Sequence, residues 1–281
     1  MPIDIFALVL LAAFVHAAWN ALVKADGDRL TVIRLMSATQ LVISLLLIPF
    51  VPVPAPASWP YLAASAVVNI GYMMFLNQAY RSGDLSHAYP LARGTAPLLV
   101  AGVSIWFLAE ALSRASQIAV LLIGLGITSL SLARGVEGLR DLRMVGFALG
   151  TGVFIAVYTL LDGLGARAAG GAHGYMAWVT LVGGCLMVSV IGWIQRKERA
   201  PISRRTRIAG IASGVTSYAS AWMIIWAMTA APIALVSALR ETSIIFAVAI
   251  GVLVLKERLN LARLLSIATT LVGTVILKFS R

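Results

Sequence analysis

Apolar residues run along this chain in stretches long enough to cross a membrane. They do not form the one-sided stripes of helices that face water. Ten stretches stand out: 3–23, 32–50, 60–80, 86–109, 115–133, 143–162, 173–194, 208–229, 233–255 and 262–279. An α-helix needs roughly 20 residues to span about 30 Å of hydrocarbon, so the pattern predicts an all-α integral membrane protein with ten transmembrane helices. The polar connections are short and leave no room for a large soluble domain. VPVPAPASWP (51–60) reads as a proline-rich loop, with Trp59 and Tyr61 at the membrane–water interface. The first stretch lacks the basic region of a signal peptide and reads as a helix that stays in the mature protein.

The ten spans divide into five and five. Sliding the chain so that Arg93 falls on Arg240 also brings Thr95 onto Thr242, Leu108 onto Leu255, Glu110 onto Glu257, Leu112 onto Leu259 and Gly126 onto Gly273, with no gap. An odd number of spans per half inserts the halves in opposite orientations. The chain is therefore expected to be two inverted five-helix repeats, residues 1–138 and 139–281.

Composition agrees. The chain is 60% hydrophobic and 12% charged over 281 residues, more apolar surface than a soluble domain of that length hides. A net charge of +11 does not point to nucleic acid here, because the basic residues lie in short loops. They concentrate after the odd-numbered spans, which places those connections in the cytoplasm and both termini on the periplasmic or exterior side of a cell inner membrane. Lys278 and Arg281 run against that assignment. A single cysteine, Cys185, excludes an intrachain disulfide and a cysteine metal site. HExxH, GxSxG, Walker A and GxGxxG patterns are all missing, so no enzyme activity, metal or cofactor is expected. The expected partners are a small-molecule metabolite and the lipid bilayer, with no nucleic acid, and the chain acting as a monomer or homodimer.

Candidate chemistry lies in polar residues inside the spans. Arg93 in span 4 and Arg240 in span 9 are ionisable groups at hydrocarbon depth, where charge is costly and usually marks a ligand site or pathway. Each is roughly 10 Å deep, from opposite faces, so the two side chains are expected to converge on one acid group near the midplane. Pro90 and Pro97 predict a broken helix beside Arg93. The competing reading pairs Arg93 with a structural carboxylate, or neutralises Arg240 with its neighbour Glu241. In span 1, His16, Trp19, Asn20 and Lys24 make one face polar. Their counterparts in span 6 are Phe154, Tyr158 and Asp162, with Asn20 matching Tyr158 and Lys24 matching Asp162. Asn20 and Tyr158 are candidate hydrogen-bond partners of a ligand. His16 reads as a proton-coupling group or as a packed histidine bonded to a backbone carbonyl. Lys24, Asp162 and Glu241 join it as coupling or gating candidates, Lys24 also as a residue that snorkels to the interface. Tyr72, Tyr89 and Trp222 are candidate cavity walls. Glu110 and Glu257, at the ends of spans 4 and 9, read as structural terminators or gate salt bridges.

The ten spans, the five-plus-five repeat, the Trp19 and Lys24 pair ending span 1, and the Glu-x-Leu after spans 4 and 9 (Glu110–Leu112, Glu257–Leu259) together resemble the drug/metabolite transporter superfamily, EamA type. The resemblance covers essentially the whole chain. It implies a central cavity between the halves, lined by helices 1, 3, 4, 6, 8 and 9, and export or exchange of small metabolites. The plastid phosphate translocators of that superfamily hold phosphate with basic residues on helices 4 and 9, where Arg93 and Arg240 lie here. HAAWNALVK (16–24) also resembles a subgroup associated with phosphonate utilisation. One departure is the loop bias, since many EamA-type exporters keep their termini inside. The sequence therefore reads as a secondary active transporter of a small anionic or zwitterionic metabolite (an amino acid, carboxylate, organophosphate or phosphonate), its acid group held between Arg93 and Arg240. The alternatives are a flippase for a lipid or lipid-linked phosphate, and a non-transporting membrane scaffold with a fully packed interior.

Overall fold

A computed structural model describes residues 1–24, 28–82, 85–132, 140–196, 201–253 and 261–280. The described residues form helices and turns, with no strand. The helices are α1 (Ile3–Lys24), α2 (Arg29–Leu47), α3 (Trp59–Ser82), α4 (Leu85–Trp106), α5 (Arg114–Thr128), α6 (Leu142–Ala168), α7 (Ala172–Ile194), α8 (Arg204–Ala230), α9 (Ile233–Arg240), α10 (Ser243–Leu253) and α11 (Leu261–Phe279). Among the described residues, eight spans are long and apolar enough to cross a membrane by length and composition. Large apolar side chains such as Leu46, Phe50, Trp106 and Phe107 project outward, as a lipid-facing surface requires.

Polar caps define where several helices start. Asp28 accepts from the Thr31 N–H, Ser113 from Ser116, Asp141 from Arg143 and Met144, and Ser203 from Thr206. Each cap satisfies backbone donors that the first turn leaves without a partner.

Two expectations about helix integrity are corrected. Span 4 is not broken: α4 runs through both Pro90 and Pro97. Span 9 is the broken one. It divides into α9 and α10 at Glu241–Thr242, where the N–H groups of Ile244 and Ile245 donate to carbonyls three residues back, those of Glu241 and Thr242. The break follows Arg240 directly, in a stretch with no proline and no glycine.

The two halves interdigitate. α3 packs along α6, α1 along α8, α2 along α7 and α8, α4 along α5 and α6, and α5 along α11. The α4–α5 approach is close: a Cβ at Gly94 would stand 2.7 Å from the Gly124 carbonyl oxygen, so only glycine fits there. The ends of α1, α3, α5, α7 and α10 and the starts of α2, α4, α6, α8 and α11 share one face, here the basic face, since most of the lysines and arginines fall beside these ends in the sequence. Connections α2–α3, α4–α5, α6–α7 and α8–α9 form the far face, and the buried α9–α10 break lies between the two faces.

Candidate substrate cavity

Between the halves lies a cavity of about 1100 Å³. Arg29, Leu130 and Arg263 line it near the basic face, while Asp162, Met176 and Met228 line it towards the far face. Beyond them the far face is sealed by α9, whose Ile233, Val236 and Leu239 are fully buried.

The seal has a polar lock. Glu110 accepts the backbone N–H groups of Ile233 at 3.0 Å and Ala234 at 3.5 Å, capping α9 from another helix end. The same carboxylate pairs with Arg167 at 3.0 Å. Arg167 also donates to the carbonyls of Met228 at 2.8 Å and Ala231 at 2.9 Å, the last turn of α8. One carboxylate and one guanidinium thus tie together the ends of α4, α6 and α8 and the start of α9. Ala109, with φ of 50°, takes a left-handed conformation that L side chains avoid, immediately before Glu110. The sequence offered Glu110 as a terminator or gate residue. It did not single out Arg167, which lies in a loop-end position where a basic residue looks ordinary.

Most of the sequence candidates line the cavity: His16, Trp19, Asn20, Tyr72, Tyr89, Arg93, Tyr158, Asp162 and Arg240. Their roles there differ. Arg93 is buried and already has partners. Its Nε stands 3.0 Å from the Glu241 carboxylate, and its Nη2 stands 3.1 Å from His16 Nε2 and 3.3 Å from Ser243 Oγ. Tyr89 presents its ring to the same guanidinium at 5.8 Å. Glu241 does not neutralise its chain neighbour Arg240; it pairs with Arg93 across the two halves. The reason is geometric: adjacent helical residues diverge by about 100°, and the break at Glu241 aims its side chain at α4.

Arg240 is half-buried and donates to the Tyr158 hydroxyl at 3.4 Å. No carboxylate pairs with it among the described residues. Tyr158 stacks edge-on against Tyr72 at 5.8 Å. One turn further along α6, Asp162 accepts from Ser65 Oγ at 2.6 Å and from the Tyr175 hydroxyl at 3.2 Å. No cation pairs with it among the described residues. Residues four apart share a helix face, so Arg240 and Asp162 approach the same strip of α6. Ser65 and Tyr175, missed by the sequence reading, were legible only as polar residues in spans.

Asn20 donates to the His16 carbonyl in its own helix at 2.8 Å. Trp19 packs edge-on against His16, and its buried N–H has no acceptor among the described residues. Trp222 is a correction: it does not line the cavity, but donates to His173 Nδ1 at 3.0 Å. The cavity face of α8 carries Ser217, Ser220, Ala221 and Ile224, and position 222 falls to one side of it. α2 and α7 also line the cavity, beyond the helices that the resemblance implied. The Lys24 side chain and Glu257 lie outside the described residues.

Residues 4–132 and 142–279 each match the model of the EamA-like transporter family. The chain belongs to that family. It is thus a member of the drug/metabolite transporter superfamily, EamA type, an all-α membrane protein of ten spans in two inverted repeats, and membership makes it a membrane transporter of small molecules. No curated protein matches this EamA-like chain. A solved structure described as the crystal structure of a protein superposes with a TM-score of 0.76 at 16% identity, covering 97% of this chain and 94% of that one. That likeness is one of fold.

Proposed function

We propose that the chain is a secondary transporter of a small zwitterionic metabolite, with Arg240 holding the acid group and Asp162 the ammonium. The observation that carries this reading is the charge balance of the inner cavity. Arg93 and Glu241 cancel each other in direct contact. Arg240 and Asp162 oppose each other on one strip of α6, each held by hydroxyls and neither ion-paired among the described residues. A ligand with separated, opposite charges complements that pair without leaving net charge in a low-dielectric interior. A bare anion leaves Asp162 repelling it. Arg93 shapes the site from behind, its guanidinium occupied by Glu241, His16 and Ser243.

The cavity reaches the basic face and stops beneath the Glu110–Arg167 lock. By the bias of lysine and arginine that face is cytoplasmic, and the protein sits in the inner membrane. Alternating access then requires the lock to open as the basic face closes around the ligand. A non-transporting scaffold has no use for a cavity of about 1100 Å³ lined by charge.

The test is thermal stabilisation of purified protein by zwitterions, simple acids and simple amines. Zwitterions are expected to stabilise the wild type most. Arg240→Ala is expected to abolish the effect, and Asp162→Asn to level the response to zwitterion and simple acid. Undiminished stabilisation by zwitterions in Arg240→Ala rejects the reading.

A further inference from the structure

Arg93, Asp162, Arg240 and Arg263 reach the cavity from α4, α6, α9 and α11, and α2 adds Arg29 near the basic face. Deeper than Arg29, a wall of the cavity is built by α2, α7 and α8, which pack against one another. It carries Met36, Met176, Met187 and Met228 with Val179 and Ile225, interrupted by Gln40, which donates to Ser217, and by Thr180. Met73 of α3 extends it. Methionine is flexible and polarisable, and protein surfaces that accept varied apolar groups use it repeatedly.

The α7 part of this wall is a continuous stripe. Met176, Val179, Thr180, Gly183, Gly184 and Met187 all line the cavity, at helical spacing, over roughly 16 Å of helix. The two glycines differ. A Cβ at Gly184 would meet Leu41 at 3.2 Å, so that glycine serves helix packing. A Cβ at Gly183 would meet nothing within 4 Å. Packing does not require Gly183 to be small, and the missing side chain leaves open volume on the α7 stripe between Val179 and Met187. The cavity also exceeds the roughly 300–1000 Å³ typical of small-molecule pockets, far more than a zwitterionic head fills.

We infer that the methionine wall of α2, α7 and α8 is a subsite for a bulky apolar group carried by the transported zwitterion, with Gly183 setting the size it accepts. This rests on the reading of Arg240 and Asp162 as the head-group site and names the rest of the ligand. Selection works by burial: each methylene taken from water adds about fourfold in affinity. An acyl chain and an amino-acid-like side group share this chemistry, and the ligand panel separates them.

The experiment measures thermal stabilisation and proteoliposome uptake for α-amino acids graded from glycine through alanine and leucine to phenylalanine, with lysophosphatidylethanolamine beside them. The proteins are wild type, Gly183→Ala, Gly183→Leu and Arg240→Ala. Wild type is expected to favour the bulky members, and Gly183→Leu to lower the phenylalanine-to-alanine affinity ratio at least tenfold. Gly183→Ala gives a graded version of the same shift should leucine not be tolerated. Affinity gained only with the lysolipid supports the subsite and identifies its occupant as an acyl chain. A flat response to size in wild type, or a ratio that neither Gly183 variant changes, overturns the inference while loss of binding in Arg240→Ala leaves the head-group reading standing. Binding unimpaired in Arg240→Ala overturns the head-group reading and this inference with it, as does an absence of binding across the panel.

Discussion

Arg93 and Glu241 are 5% and 3% exposed and bonded at 3.0 Å, one from each half. A buried ion pair is costly to strand and cheap to replace whole. Glu241→Ala leaves the buried Arg93 charge with only His16, Ser243 and the Tyr89 ring to offset it, and is expected to cost about 3–5 kcal/mol, seen as a lower unfolding temperature. The double variant Arg93→Met, Glu241→Met is expected to recover most of that loss. A double variant less stable than Glu241→Ala would show that the pair is worth more than its apolar substitute. The sequence could locate both residues, because charge at hydrocarbon depth is conspicuous. It could not decide which arginine Glu241 serves. Helical neighbours diverge by about 100°, which counts against Arg240, but only the course of the backbone after Arg240 gives Glu241 to Arg93.

At the scale of elements, the helix break was anticipated in the wrong repeat. Proline is the usual mark of a broken helix, and α4 has two. Yet α4 continues, and the break falls in a proline-free stretch between Arg240 and Ser243. Local sequence carries little trace of a break stabilised from a distance, here by Arg93 bonding to Glu241 and Ser243. The start of α9 is likewise held from outside, by Glu110. Glu110→Gln keeps an acceptor for the Ile233 N–H but loses the charge facing Arg167. Glu110→Ala loses both. Unfolding temperatures are expected to fall in that order, with about 1 kcal/mol separating the alanine from the glutamine variant, the usual worth of a cap. Equal stability of the two variants would show that the ion pair, and not the cap, is what Glu110 contributes.

For the molecule as a whole, ten spans and an inverted repeat were readable from hydropathy and a handful of matched residues. α3 packing on α6 or α2 on α8 was not, since the outward faces of membrane helices carry no polar stripe to orient them. For the same reason the methionine wall of α2 and α7 was invisible in advance. Orientation has a direct check. In a Cys185→Ala background, Ala111→Cys on the far face is expected to react with an impermeant maleimide applied to intact cells. Arg140→Cys on the basic face is expected to react only after permeabilisation, and the reverse pattern would invert the assignment.

One short helix joins the two active regions. α9 is eight residues long, about 12 Å from end to end. Its first amides are gripped by Glu110, and its last residue is Arg240, at the negative end of the helix dipole. Two turns of helix behave as a stiff rod, so a ligand that pulls Arg240 moves Ile233 and Ala234 within the carboxylate's grasp. Occupancy of the cavity and release of the far-face lock are then two ends of one lever. A bound ligand should alter hydrogen exchange at the Ile233 and Ala234 amides, and unchanged exchange there would mean that the lever is not engaged.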